Sequence, residues 1–278
     1  MSHLTGCPES EHRAQREGSP LPGVHVETAG QGSPLVLLHG WALHSGLWGP
    51  LLPWLAARHR VHAVDLPGHG HSAVTDPYTL DAIVAAVDAA VPAGEPLAVL
   101  GWSLGGAVAM AWARARPARV ARLALVCTSP RFIAGPDWPH AMGEATLARF
   151  GDELSVAYRT TLQRFLSLQL HGSDQGRAAL ALMRKHLFAR GEPAPEVLGA
   201  ALRILGAIDL RADAASIVQP TRVIAGDRDT LAPAAAGRWL AAAMPGATYA
   251  EIAGAGHAPF LSHPEAFRRA LEGFVDGG

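Results

Sequence analysis

Val99-Leu100-Gly101-Trp102-Ser103-Leu104-Gly105-Gly106 is a short apolar run that closes on Gly-x-Ser-x-Gly and passes at once into good helix formers, Ala107 to Ala115. A serine in that setting sits on a tight turn between a buried strand and a helix. The residues two places either side must be small, because strand and helix pass almost in contact there. Gly101, Gly105 and Gly106 meet that requirement. The strained turn lifts the hydroxyl clear of the backbone, and the new helix aims its unpaired N–H groups and positive end at the same point. Ser103 is therefore the candidate nucleophile.

Working outward, strand-like apolar runs recur at Pro34 to Leu38, Val61 to Asp65, Leu97 to Gly101, Leu123 to Val126, Thr221 to Ala225 and Thr248 to Ile252. Helical patterns fall between most of them, at Leu47 to Arg58, Leu80 to Val91, Leu104 to Arg116 and Pro233 to Met244. Continuous apolar strands alternating with helices predict an α/β fold, with a mostly parallel central sheet flanked by helices and its function at the carboxyl ends of the strands. The alternation breaks over residues 130–208. That stretch shows only helical patterns, at Ala141 to Phe150, Leu154 to Leu170, Arg177 to Leu187 and Pro195 to Ile208, and reads as a helical lid inserted over the strand ends. The expected organisation is a flexible N-terminal extension over 1–23, a core over 24–129 and 209–278, and the lid over 130–208.

A serine hydroxyl needs an adjacent base, and the base needs an orienting carboxylate. Past the Thr221 to Ala225 run come Gly226-Asp227-Arg228-Asp229, and past Thr248 to Ile252 come Gly254-Ala255-Gly256-His257. Acid and histidine thus follow the serine in the chain order that an elbow serine requires. Asp229 lies deeper in its loop and is preferred over Asp227, which braces the turn. His39-Gly40-Trp41, past the first strong strand, is placed to supply an oxyanion-hole donor; the expected donors are the N–H groups of Trp41 and Leu104. His39 is read as a side chain that holds this loop. Asp65-Leu66-Pro67-Gly68-His69-Gly70-His71-Ser72 carries two close histidines but no third ligand at metal spacing, so it is read as a glycine-rich turn, with no metal and no cofactor expected.

The 278 residues, 49% of them hydrophobic, are enough for a sizeable core. A formal charge of -1 gives no overall field to attract nucleic acid. Cys7 and Cys127 form neither a disulfide framework nor a metal motif. No leader pattern and no membrane-length apolar run is visible, so the expectation is a cytoplasmic protein, a monomer, with no membrane partner.

Taken together, His39-Gly40-Trp41, Asp65-x-x-Gly68-x-Gly70-x-Ser72, Gly101-x-Ser103-x-Gly105, Gly226-x-x-Asp229 and Gly256-His257 resemble the α/β-hydrolase superfamily over the chain from about residue 24 onward. Within it, the chain is most similar to the pimeloyl-acyl-carrier-protein methyl ester esterases of biotin synthesis, the BioH family. Trp41, Trp102, Phe165-Leu166-Ser167-Leu168-Gln169 and His257-Ala258-Pro259-Phe260-Leu261-Ser262-His263-Pro264 carry that closer likeness. The resemblance implies Ser103 as nucleophile, Asp229 as acid and His257 as base. Trp41 and Leu104 would line the acyl site, and Phe165, Leu166, Ser167, Leu168 and Gln169 would touch substrate from the lid. Leu162, Phe165 and Leu166 are spaced to share one helical face along an acyl channel. The implied activity is that of a serine esterase (carboxylesterase) removing the methyl ester of a carrier-bound pimeloyl chain. Rival readings are a general carboxylesterase for short-chain esters, a carbon–carbon bond hydrolase of the same fold and a non-catalytic receptor.

From Arg159 to Arg190 six basic residues, Arg159, Arg164, Arg177, Arg184, Lys185 and Arg190, stand against one acidic residue, Asp174. Such a lid would attract an acidic acyl carrier protein, with Arg159, Arg164, Arg177 and Arg184 as expected contacts, beside free small-molecule esters as the other class of substrate.

Overall fold

The computed structural model describes residues 23–276. The expected extension falls almost entirely outside them, as does Cys7. Along the chain run β1 (Val26–Ala29), β2 (Ser33–Leu38), a 3₁₀ turn (Ser45–Trp48), α1 (Leu52–Ala56), β3 (His59–Val64), α2 (Leu80–Ala90), β4 (Leu97–Trp102), α3 (Leu104–Ala115) and β5 (Val120–Val126). Then follow α4 (Glu144–Gln169), α5 (Gly176–His186), α6 (Pro195–Ala207), α7 (Arg211–Ala214), β6 (Thr221–Gly226), α8 (Ala234–Ala243), β7 (Ala247–Ile252), α9 (Pro259–Ser262) and α10 (Pro264–Leu271).

The strands form one sheet in the order β1-β3-β2-β4-β5-β6-β7, parallel throughout except where β1 runs antiparallel to β3. Leu35, Val36, Leu37 and Leu38 are fully buried, because helices cover both faces of the sheet. After β3 the chain returns past β2 to lay down β4, so the direction of winding reverses between β2 and β4. That is the place where an α/β sheet opens a crevice at its strand ends. Leu38 pairs with Gly101 across it, which sets the loop after β2 beside the turn after β4.

Two expectations change, and one strand was not foreseen. The pattern from Leu47 to Arg58 is not one helix: Gly49-Pro50 separates the 3₁₀ turn from α1, since proline removes a helical donor and disfavours the helical conformation of the residue before it. Ala141 to Phe150 and Leu154 to Leu170 do form two helices within α4, but the break between them is not where the sequence put it. The chain runs helical through Gly151 and is bent instead at Ala157, at φ -138° and ψ 51°. Strand β1, four residues of mixed polarity, has no apolar run to announce it.

The helical insertion between β5 and β6 is tied at its root by Arg211, which pairs with Asp137 at 2.8 Å and Asp209 at 2.6 Å. It is also fastened to the core on several sides. His44 Nε2 donates to the carbonyl of His186 at 2.7 Å, and the Trp41 indole donates to the carbonyl of Leu198 at 3.0 Å. Arg190 reaches down to the buried Asp65 at 3.1 Å and to Glu27 of β1 at 2.6 Å. Among the described residues, no helix is long and apolar enough to cross a membrane.

Candidate active site

Ser103 takes φ 57° and ψ -117°, a strained geometry for a residue with a side chain, between β4 and α3. The close approach explains its neighbours. A Cβ on Gly101 would stand 2.4 Å from the carbonyl oxygen of Gly105, and one on Gly105 would stand 2.3 Å from that of Leu38. On the other side, the Thr128 hydroxyl donates to the Ser103 carbonyl at 2.8 Å.

Two further loops converge on this turn. His257 Nε2 lies 2.9 Å from Ser103 Oγ, and its Nδ1 lies 2.7 Å from Asp229 Oδ2. All three side chains are buried, Ser103 keeping 7% exposure. Asp229 Oδ1 accepts the N–H groups of Leu231 at 2.8 Å and Ala232 at 3.0 Å, which fixes the plane of the carboxylate. Asp227 is exposed and takes no part in this chain of bonds. The acid and base loops touch directly, since a Cβ on Gly226 would meet the Gly256 carbonyl at 2.3 Å. With Nδ1–H committed to the carboxylate, Nε2 is left free to take a proton from the serine.

The main chain of His257 is gripped at both ends. Its N–H donates to the carbonyl of Gln169, at the end of α4, at 2.7 Å, and its carbonyl accepts the Trp102 indole N–H, also at 2.7 Å. Sequence reasoning missed both contacts, because a bond to a main-chain carbonyl leaves no mark on the identity of the residue that owns it.

Leu104 opens α3, so its N–H has no helical partner, and the N–H of Trp41 makes no hydrogen bond among the described residues. Gly40 brings the second loop close: a Cβ there would stand 3.3 Å from Ser103 Cβ. His39 holds that loop, donating from Nδ1 to the Gly40 carbonyl at 2.8 Å and accepting the Leu66 N–H at Nε2 at 2.9 Å. Full burial pulls its pKa down to about 3, so the ring is neutral and committed at both nitrogens.

The five residues expected to touch substrate from α4 divide between two faces. Phe165, Leu166 and Gln169 are buried, and Phe165 stands edge-on to Trp41 at 4.7 Å between ring centres. Ser167 and Leu168 line a groove of about 450 Å³ on the outer side, together with Phe150, Arg164 and Arg184. Phe150 meets Phe165 edge-on at 5.6 Å, so aromatic edges run from the Trp41 loop to that groove.

Of the lid cations, Arg159 pairs with Glu192 and Arg164 pairs with Glu153 at 2.7 Å, whereas Arg177 and Arg184 have no ion pair among the described residues. Arg190 is corrected from the surface count, since it is turned inward to Asp65. His25, Asp65 and His71 gather closely enough to hold a metal. The Asp65 carboxylate is nonetheless already taken by the N–H groups of Ser45 and His71 and by Arg190, a cation that would repel another.

A model of the alpha/beta hydrolase fold matches residues 33–264. The chain is 46% identical over 253 residues to the pimeloyl-[acyl-carrier protein] methyl ester esterase of Xanthomonas axonopodis pv. citri, covering 91% of this chain and 98% of that one. It is 45% identical over 248 residues to the protein of the same name from Chromobacterium violaceum, covering 89% and 96%. Among solved structures, an esterase from Exiguobacterium antarcticum superposes with a TM-score of 0.82 at 20% identity, over 91% of this chain and 95% of that chain, a likeness of fold.

Proposed function

The chain belongs to the alpha/beta hydrolase fold family and, within it, to the pimeloyl-[acyl-carrier protein] methyl ester esterases; from that premise we propose that it hydrolyses the methyl ester of a pimeloyl chain held on acyl carrier protein, through Ser103, His257 and Asp229. The observation that carries the mechanism is the unbroken run Ser103 Oγ, His257 Nε2, His257 Nδ1 and Asp229 Oδ2, with gaps of 2.9 Å and 2.7 Å.

In the first half-reaction His257 Nε2 takes the Ser103 proton as Oγ bonds to the ester carbonyl carbon. The carbonyl oxygen becomes an oxyanion, and the N–H groups of Trp41 and Leu104 receive it. Asp229 stabilises the imidazolium that forms. When the tetrahedral centre collapses, the C–OCH₃ bond breaks and the departing oxygen takes the proton from His257, giving methanol and an acyl-serine. Water then enters, gives its proton to His257 and attacks the acyl carbon. Ser103 leaves with that proton and the free acid is released. Losing one oxyanion donor from such a site costs about 3–4 kcal/mol of transition-state stabilisation.

A pimeloyl chain carries an electrophilic carbonyl at each end. Attachment to a protein keeps the thioester end outside and presents the methyl ester to the buried serine. The exposed arginines of α4 and α5 and the groove of Arg164, Ser167, Leu168 and Arg184 support docking of an acidic carrier on this face. A fluorophosphonate should label the native protein and leave Ser103→Ala unlabelled. Purified enzyme should release methanol faster from the carrier-bound ester than from the free one, and the gene should restore growth without biotin to a strain lacking such an esterase. Equal rates on both esters together with failed rescue would defeat the substrate assignment, and leave the esterase chemistry standing.

A further inference from the structure

Among the described residues, three without glycine's freedom hold a positive φ: Ser103, Ala42 beside the Trp41 turn, and Cys127 at 44°. Such a conformation is costly for a residue with a side chain and persists only where the surroundings impose it. Cys127 follows β5 directly, its N–H anchored on the Ile224 carbonyl at 2.8 Å. Its thiol is free and 2% exposed. The twist carries Sγ beneath the three hydrogen-bonded side chains, within 4.8 Å of both an Asp229 carboxylate oxygen and a His257 ring nitrogen.

We propose that Cys127 is a positioning residue for the ester hydrolysis, its S–H donating to the Asp229 carboxylate and so setting how strongly that carboxylate holds the imidazolium of His257. This rests on the reading of Ser103, His257 and Asp229 given above. In this structure the thiol proton points to the Gly256 carbonyl at 3.9 Å, and a second acceptor, the carboxylate, stands within 4.8 Å of Sγ. A charged acceptor draws a donor more strongly than a neutral one. Burial, reinforced by the neighbouring Asp229, pushes the thiol well above its usual range, so it stays protonated and can act as a donor.

Thiol, carboxylate and imidazole could also compose a metal cage, but both Asp229 oxygens already accept hydrogen bonds, Oδ1 from the Leu231 and Ala232 N–H groups and Oδ2 from His257. The titratable groups around the base are Ser103 from the β4–α3 turn, Asp229 from the loop after β6 and Cys127 from the end of β5. Beyond them stands Tyr249 of β7, whose hydroxyl donates to Glu251 at 2.5 Å, under the Arg238 guanidinium.

A donor on the carboxylate spreads its charge, and removing that donor strengthens its hold on the imidazolium. The test is the pH profile of kcat/KM on a soluble methyl ester for the native protein, Cys127→Ala and Cys127→Ser, with the Nδ1 proton resonance of His257 followed by NMR. In Cys127→Ala the midpoint of the acid limb should rise by about 0.3–0.5 pH unit, with KM unchanged within about twofold. In Cys127→Ser, whose hydroxyl is the better donor, the midpoint should return to the native value or fall below it. The Nδ1 resonance should move in the same order. Coincident limbs and resonances in all three proteins, or a shift of opposite sign, overturn the proposal. If Cys127→Ala fails to fold, Cys127→Ser decides, through its limb and resonance, between a donor and a space-filling role. Labelling by a fluorophosphonate is the control: its absence in the native protein would sink the reading of the three residues themselves, whereas normal labelling with unmoved limbs sinks only the role of Cys127.

Discussion

The Trp102 indole N–H donates to the main-chain carbonyl of His257 at 2.7 Å, so the residue beside the candidate nucleophile holds the candidate base. The ring itself is packed edge-on against Trp48 at 6.5 Å and Phe260 at 5.1 Å, which fixes the direction of that donor. Trp102→Phe keeps an aromatic wall and removes only the N–H, leaving a buried carbonyl short of its partner. We expect kcat to fall about 3–10-fold with little change in KM, the size expected from one hydrogen bond. Steady-state kinetics beside a thermal unfolding curve make the check; an unchanged kcat would mean the Gln169 carbonyl alone suffices to place the base.

Ser103 carries its own strain at φ 57° and ψ -117°, a region glycine enters freely. Ser103→Gly should therefore abolish turnover while raising stability by about 1 kcal/mol, the relief of backbone strain less the greater entropy of a glycine in the unfolded chain. Ser103→Ala should abolish turnover with little gain, because its Cβ keeps the strain. Urea unfolding of the two variants separates these outcomes, and equal stabilities would show that the turn relaxes without cost.

These features differ in how plainly the sequence announced them. Gly101-x-Ser103-x-Gly105 was legible because the steric demand of the turn dictates residue type, and the loops of Asp229 and His257 were legible because each opens with glycine straight after an apolar strand. The clasp of Arg190 on Asp65 was not. Its partners lie 125 residues apart, and a cation near the end of a basic helix looks the same in sequence whether it faces water or a buried carboxylate. The bend at Ala157 was hidden for another reason: alanine is the best helix former, and only tertiary packing makes a helix depart there. Strand β1 is four residues of mixed polarity, too short for a period to show.

Buried imidazoles make acid a specific hazard, His39 and His69 above all. Burial lowers His39 to about 3 and His69 to about 4, while in the unfolded chain both rings protonate near pH 6.5. Below that pH the unfolded state binds more protons, so stability falls as pH drops from about 6.5 toward the folded values, by roughly 1 kcal/mol per pH unit for each ring. Asp65 acts later. Burial pushes its carboxyl up, but the neighbouring His39 ring and the N–H groups of His71 and Ser45 more than reverse that, so its contribution is present above about pH 4 and lost below. The urea midpoint should decline clearly between pH 7 and pH 5. His69→Asn, whose amide can keep the bond that Nδ1 makes to the Pro67 carbonyl at 3.1 Å, should lose part of that decline, the rest staying with His39 and with His44 and His62, which burial also lowers.

Charge on the insertion offers a separate handle on the substrate. Arg177 and Arg184 are exposed and have no ion pair among the described residues, whereas Arg159 and Arg164 already face Glu192 and Glu153. Arg177→Glu with Arg184→Glu should lower kcat/KM for the carrier-bound ester about 10-fold or more at low ionic strength, leave a small free ester untouched and flatten the dependence of the rate on salt. Arg159→Ala and Arg164→Ala each remove one cation and uncover one carboxylate, so each should weaken use of the carrier more than loss of a single charge would. A double reversal on α5 that slows both esters equally would place its effect on the fold or the chemistry, and would remove the electrostatic case for carrier docking on this face.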